Sequence, residues 1–315
     1  MKRLWAVSGV LFLGIAAFVS GCGGSVDGAT SARKPGEKLK IVATVGMIAD
    51  LAQRIAGEHA SVQALMGPGT DPHLYKARED DTRALDRADV IFYNGLNLEG
   101  KMSDLFVKMA HRKKAVYAVS EYIDEKLLRE PEEMEGHFDP HIWFDVSLWM
   151  KAAERIRDGL VESDPAHADV FKKNAEGLLK EMNELHDWTK KTIAEVPKDR
   201  RVLITAHDAF GYFGRAYDIE VHGIQGISTE DQAPVAAINN LVNMIVSKGV
   251  KAVFVESSVP KKNIEALIEG AKARGHSVII GGELFSDAMG DAGKPEGTYL
   301  GMVKHNVDTI VKALK

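Results

Sequence analysis

Short apolar runs alternate along this chain with longer stretches of helical periodicity. This alternation is typical of parallel α/β layers, in which buried strands are connected by amphipathic helices. The apolar runs predict eight strands in two groups of four, at residues 40–45, 61–66, 90–94 and 115–119, and at residues 202–206, 220–224, 252–256 and 278–282. The predicted fold class is therefore α/β with two lobes, each a mainly parallel sheet flanked by helices.

A polar, charge-rich stretch between the two groups predicts a single long helix. Asp164-Pro165 is typical of a helix start, with Asp164 as the N-cap and proline at the first helical position. Apolar side chains recur mostly every three or four residues, which predicts one packed face. These positions are Val170, Leu178, Leu179, Met182, Leu185 and Trp188.

The position of this predicted helix divides the chain into two lobes. The N-terminal lobe is expected at residues 38–163, the linking helix at 164–196 and the C-terminal lobe at 197–315. Because one helix joins the lobes, we expect only a modest hinge movement or a local loop movement when a ligand binds. A ligand-binding cleft is expected between the two lobes.

The first residues predict export and lipid anchoring. A basic start and an apolar stretch are typical of a secretory signal, which we place at residues 1–21. A transmembrane anchor is the alternative, but the apolar run breaks at Ser20, short of the roughly 20 residues that a span requires. Val19-Ser20-Gly21-Cys22 resembles a bacterial lipobox, so Cys22, which is the sole cysteine, is predicted to be lipidated.

The lipid would attach the protein to a membrane through a flexible linker. Residues 22–37 are rich in small and polar residues and are predicted to be a tether. The expected localisation is the outer face of the cytoplasmic membrane, on a Gram-positive cell surface, with the periplasmic face in a two-membrane bacterium as the alternative. The formal net charge of −5 lacks the basic footprint of a nucleic-acid-binding protein, so nucleic acid is not an expected partner.

Two near-identical triplets, Asp71-Pro72-His73 and Asp139-Pro140-His141, are typical of a metal site. Each proline restrains the backbone before its histidine, and each aspartate is placed to accept the second imidazole N–H of its own or a neighbouring histidine. His207 follows the fifth predicted strand, and Asp287 lies just beyond the last one. Ligands of open α/β sheets bind at these strand ends. The sequence therefore predicts metal ligation by His73, His141, His207 and Asp287 in the cleft between the lobes.

The predicted ligand set is compatible with Zn²⁺, Mn²⁺ or Fe²⁺. Taken singly, each residue has another interpretation: His73 and His141 as turn residues, His207 as a histidine at the edge of the core, and Asp287 as a helix cap. One interpretation of His137, in the acidic segment 130–139, is that it samples metal before capture, but a solvated loop is the favoured interpretation. We therefore group it with the remaining histidines, which we interpret as structural or surface residues: His59, His111, His137, His167, His186, His222, His276 and His305.

From the leader to Lys315, the chain resembles the metal-specific solute-binding lipoproteins of bacterial ABC importers, solute-binding protein family 9. The most specific matches are Gly69-Thr70-Asp71-Pro72-His73, Asp139-Pro140-His141-Ile142-Trp143, residues 205–213, Phe254-Val255-Glu256-Ser257-Ser258 and residues 281–287. The resemblance implies that the family's four ligands fall on the four residues predicted above. It also implies a monomer that captures a metal ion as transported ligand, with a membrane permease and a cytoplasmic ATPase as partners.

The resemblance favours Mn²⁺ over Zn²⁺ or Fe²⁺. Zinc-type members often have a long histidine-rich loop before the second ligand, whereas this chain has only the short segment with His137. Some members have glutamate at the third ligand position, where this chain has His207. Because Zn²⁺ binds nitrogen-containing sites more tightly than Mn²⁺, we expect zinc to bind tightly, to leave slowly and so to inhibit transport.

Two other classes of function are weaker alternatives. Three histidines and a carboxylate also serve catalytic zinc in hydrolases, with Glu256 or Glu283 as the nominated base. Both glutamates follow apolar strands, and we expect them instead to secure loops by hydrogen bonding. An adhesin is the other alternative, but the sequence shows no repeat array in its favour.

Overall fold

The computed structural model describes residues 36–131, 135–230 and 232–315. The predicted signal at residues 1–21, the lipidated Cys22 and residues 22–35 of the predicted tether lie outside these ranges. Residues Lys38–Lys315 form one compact unit. Within the described ranges, no helix combines the length and the apolar character needed to cross a membrane.

The N-terminal lobe is built on a four-stranded parallel sheet with the strand order β2-β1-β3-β4. Its strands are β1 (Leu39–Ala43), β2 (Ala60–Ala64), β3 (Val90–Tyr93) and β4 (Ala115–Ala118). β1 and β3 are the most buried strands, as expected where helices cover both faces of a parallel sheet. Because all four strands are parallel, their carboxyl ends lie at one edge of the sheet.

The C-terminal lobe contains two parallel strand pairs. β5 (Val202–His207) pairs with β6 (Glu220–Gln225), and β7 (Ala252–Glu256) pairs with β8 (Ile279–Leu284). β5 also lies beside β7, so the order β6-β5-β7-β8 repeats the pattern of the first lobe. All eight predicted strands are confirmed, with boundaries shifted by at most two residues.

Helices flank both sheets. In the described residues they are α1 (Gly46–Ala56), α2 (Glu79–Arg87), α3 (Ser103–His111), α4 (Val146–Ser163), α5 (Ala168–Ile193), α6 (Gly211–Tyr217), α7 (Val235–Lys248), α8 (Lys262–Ala273) and α9 (Tyr299–Leu314). The predicted two-lobe α/β architecture with a long connecting helix is confirmed. The largest apolar core runs from the N-terminal lobe across α5 to α9, so the lobes share packing beyond the linking helix itself.

The linking helix differs from its prediction in three details. α5 is 26 residues long and is preceded by a 3₁₀ turn at Pro165–His167. Asp164 occupies the N-cap position, but its carboxylate contacts the ring Nδ1 of His167 at 2.9 Å instead of capping the backbone. Val170 was wrongly predicted to pack: it is 39 % exposed, and Phe171 is buried in its place. The domain boundaries stay a prediction.

Candidate metal centre

Three loops and the end of one strand bring the predicted ligands together. His73 lies in the loop after β2, and His141 immediately precedes the 3₁₀ turn that leads into α4. His207 is itself the last residue of β5, and Asp287 follows β8 by three residues. All four side chains are buried, with exposed fractions of 6 % for His73, 1 % for Asp287 and 0 % for the other two.

The distances between these side chains suit one small cation. The Nε2 atoms of His73 and His141 lie 3.2 Å apart. The Asp287 oxygens lie 3.2 Å from His207 Nε2, 3.4 Å from His141 Nε2 and 3.7 Å from His73 Nε2. Ligands about 2.1 Å from a tetrahedral ion are roughly 3.4 Å from one another. Each of the four residues offers one ligand atom, and these four atoms all lie within 4.8 Å of one another.

Several of these atoms have no hydrogen-bond partner of good geometry among the described residues. They are Nε2 of His207 and both carboxylate oxygens of Asp287. Buried polar atoms are nearly always satisfied in folded proteins, because an unmet group loses its hydration without compensation. A divalent cation at the centre of the group would satisfy all three atoms together.

Carboxylates orient two of the three imidazoles. Asp139 Oδ1 accepts hydrogen bonds from the backbone N–H of His141 at 2.9 Å and from its ring Nδ1 at 2.8 Å. Glu256 does the same for His207, with 2.9 Å to the backbone nitrogen and 2.5 Å to Nδ1. Because Nδ1 is the donor in each case, Nε2 is left free to face the centre of the site.

Asp71 does not play the part predicted for it. Its Oδ1 accepts the backbone N–H of His73 at 2.9 Å, and its Oδ2 accepts the hydroxyl of Thr229 at 2.6 Å. The expectation that each triplet aspartate would hold an imidazole is therefore confirmed for Asp139 and wrong for Asp71. The two triplets are alike in sequence but differ in their contacts.

The protonation of the group follows from its charges. Burial lowers the pKa of His141, but Asp139 and Asp287 outweigh it and raise that pKa to about 9. Burial also lowers the pKa of His207, yet Glu256 and Asp287 hold it well above its ordinary value. For His73, burial dominates and lowers the pKa to about 3. The neighbouring carboxylates thus favour the protonated form of these two imidazoles in the metal-free protein, and metal binding releases protons because a ligating imidazole is neutral.

The same electrostatics keep Asp287 ionised. Burial raises the pKa of its carboxyl group, but the positive charges of His207 and His141 hold it well below its usual range. Asp287 is therefore a carboxylate ready to bind a cation.

The loops that carry the ligands are anchored to each other. Trp143 Nε1 donates to the backbone oxygen of Ser286 at 3.1 Å, which connects the segment of His141 to that of Asp287. Arg129 forms an ion pair with the carboxylate of Asp139 and lies across Gly211, where any side chain would occupy the space of its guanidinium group. These contacts hold the ligands in register across the two lobes.

Two residues singled out by the sequence lie elsewhere. His137 is exposed and does not belong to the group of four. The Glu283 side chain is 47 % exposed and pairs with Lys261 at 3.4 Å. Of the two glutamates expected to secure loops, Glu256 therefore acts on the site itself. Its place at the end of β7, beside β5, is the signal that could have paired it with His207.

Replacing Glu256 by glutamine is expected to weaken metal binding by about 10- to 100-fold, the usual range for residues that orient a ligand. Glu256 uses one carboxylate oxygen for each N–H group of His207, and glutamine replaces one of these oxygens by an NH2 group, which cannot accept a hydrogen bond. Isothermal titration of the metal-free variant would measure the loss. Glu283→Gln is the matched control, and equal effects in the two variants would contradict the role given to Glu256.

Comparison with known proteins identifies the class to which the fold and site belong. Residues 41–313 match the model of the family described as zinc-uptake complex component A, periplasmic, and the chain belongs to that family. This is a class of metal-transport components and not of enzymes.

Two relatives are similar over nearly the whole chain. The manganese-binding lipoprotein MntA of Bacillus subtilis (strain 168) is 46 % identical over 313 residues, covering 99 % of this chain and 100 % of that protein. The zinc-binding protein TroA of Treponema pallidum (strain Nichols) is 46 % identical over 305 residues, covering 97 % and 96 %. A solved structure of periplasmic TroA superposes with a TM-score of 0.86 at 47 % identity, covering 88 % of this chain and 99 % of that one.

Proposed function

We propose that this protein captures a divalent transition-metal ion outside the cytoplasm and delivers it to an ABC-type membrane permease for import. His73, His141, His207 and Asp287 are the proposed ligands. The observation that supports this most directly is the group of buried, closely spaced nitrogen and oxygen atoms, three of which have no hydrogen-bond partner among the described residues. Membership of a metal-uptake family supports it independently.

We further propose that Mn²⁺ is the preferred cargo, with Zn²⁺ and Fe²⁺ as the alternatives. Overall identity does not decide between the metals, because the manganese-binding and zinc-binding relatives are equally similar. The preference is supported by the segment 130–139, which has His137 as its only histidine. By the Irving–Williams order, Zn²⁺ is expected to bind more tightly than Mn²⁺ and to be released more slowly.

The partners and the location follow from this role. A permease and a cytoplasmic ATPase are expected to complete the importer, and the binding protein is expected to act as a monomer. Lipidation at Cys22 would keep it on the outer face of the cytoplasmic membrane, which two acyl chains can do stably. The lipoprotein relatives support this anchoring.

Metal titration of the chelator-stripped protein is the test of this function. With free metal at about 100 times the dissociation constant, binding should stabilise the fold by about 2.7 kcal/mol, measured as a rise in melting temperature with one equivalent bound. Mn²⁺ and Zn²⁺ are titrated in parallel, followed by chelator to compare their release. The stabilisation should disappear in His73→Ala. No response to either ion in the unaltered protein would rule out the proposed function.

A further inference from the structure

The two Asp-Pro-His triplets attach their histidines to different parts of the molecule. Asp139 holds the ring of His141 within the N-terminal lobe. Asp71 holds only the backbone of His73, while its second oxygen reaches across to Thr229, in the segment between β6 and α7 of the C-terminal lobe. Among the described contacts, the ring Nδ1 of His73 has no carboxylate partner. The position of His73 therefore depends on the opposite lobe.

The contact between Asp71 and Thr229 is well protected. Thr229 is 8 % exposed, and its hydroxyl donates to the Asp71 carboxylate at 2.6 Å. Hydrogen bonds to an ionised acceptor are stronger than those between neutral groups. The next residue, Glu230, pairs with Lys101 of the N-terminal lobe at 2.8 Å. That second pair is partly exposed and contributes little by itself, but it joins the same two segments.

These contacts lie beside the cavity that leads to the ligands. A cavity of about 300 Å³ is lined by His73 and Pro140 on one side and by Ile227, Ser228 and Glu230 on the other. His73 is also the most exposed of the four ligands. An ion that leaves through this cavity has to pass His73.

We propose that the hydrogen bond between Asp71 and Thr229 is an interlobe latch that controls how fast the metal ion leaves. The inference rests on the proposed function. Two ligands come from each lobe, so the ion is released when the lobes separate or when His73 moves away. Either movement breaks the latch, because Asp71 fixes the backbone of His73 on one side and binds the C-terminal lobe on the other. Asp71 and Thr229 are positioning residues and do not touch the ion.

The test compares Thr229→Val with Thr229→Ser. Valine keeps the volume but removes the donor, whereas serine retains it. Metal release is followed by stopped-flow mixing of the Mn²⁺-loaded protein with excess EDTA. Intrinsic tryptophan fluorescence is the reporter, because the ring centroid of Trp143 lies 5.3 Å from that of His141. We expect release from Thr229→Val to be about tenfold faster, the factor that about 1.4 kcal/mol represents, and release from Thr229→Ser to match the unaltered protein.

Two further measurements separate a latch from a general loss of stability. Thr192→Val is the matched control, because that hydroxyl donates to Trp188 within α5, away from the site. Its release rate should be unchanged. In an Asp71→Ala background, Thr229→Val should have no further effect, because coupled residues do not act additively.

The outcomes distinguish the latch from the function on which it rests. Release from Thr229→Val at the unaltered rate would overturn the latch, and so would a full tenfold effect that persists in Asp71→Ala. In both cases metal binding by the unaltered protein would remain established. If the unaltered protein does not bind Mn²⁺ or Zn²⁺ at all, the proposed function fails, and the latch fails with it.

Discussion

Replacing Asp287 by asparagine is expected to remove the response of this protein to divalent metal ions. Asp287 supplies the one carboxylate of the proposed ligand set and is 1 % exposed, so asparagine leaves the ion without a negatively charged ligand in a site shielded from water. Removing one partner of a buried charge pair costs about 3–5 kcal/mol, which corresponds to roughly a 150- to 4,000-fold loss of affinity. Isothermal titration and the metal-induced rise in melting temperature would both measure it.

Asp81→Asn is the matched control for this variant. Asp81 is also a buried carboxylate with hydrogen bonds, from Tyr75 and the backbone of Arg78, but it lies at the start of α2 and outside the ligand group. We expect its melting temperature to fall while its metal response stays intact. Binding by Asp287→Asn within tenfold of the unaltered protein would exclude Asp287 as a ligand.

Replacing Trp143 by alanine is expected to reduce the free energy of unfolding of the metal-free protein by about 3–5 kcal/mol, as for other fully buried aromatic residues. The Trp143 side chain is 0 % exposed and packs edge-on against Trp149. The indole also donates to Ser286, next to Asp287. The variant should thus lose metal affinity as well as stability. Denaturant unfolding would measure the change in midpoint.

Trp188→Ala provides the comparison for Trp143→Ala. Trp188 is a half-buried tryptophan on α5, distant in sequence from the ligand loops. It should lose less stability than Trp143→Ala and retain its affinity for metal. A change below about 1 kcal/mol in Trp143→Ala, the average for any point substitution, would show that this tryptophan does not support the site.

Much of the fold was predictable because its information is local. The central strands are nearly continuous apolar runs, the edge strands have shorter apolar stretches, and together these patterns located all eight strands to within two residues. The wrong prediction that Val170 on α5 is packed has a simple cause. Val170 and Phe171 are neighbours at the edge of the apolar face, and packing buried the larger side chain and left Val170 exposed.

The candidate site was predictable for a similar reason. Strand ends meet at one edge of a parallel sheet, so His207 and Asp287 could be expected near each other, and the repeated triplets indicated His73 and His141. The structure brings these four side chains together. The carboxylates that orient these histidines were harder to predict from the sequence, since Glu256 is 49 residues away from His207.

By itself, the sequence determined the strands, the linking helix and the residue types at the loop ends, because periodicity, proline and strand ends act over a few residues. The tertiary structure decided which carboxylate serves which histidine. Asp71 and Asp139 occupy the same local motif, yet one faces Thr229, 158 residues further along the chain, and the other faces its own imidazole. A carboxylate oxygen binds the donor that packing brings within about 3 Å, and packing between the lobes is a property of the whole chain.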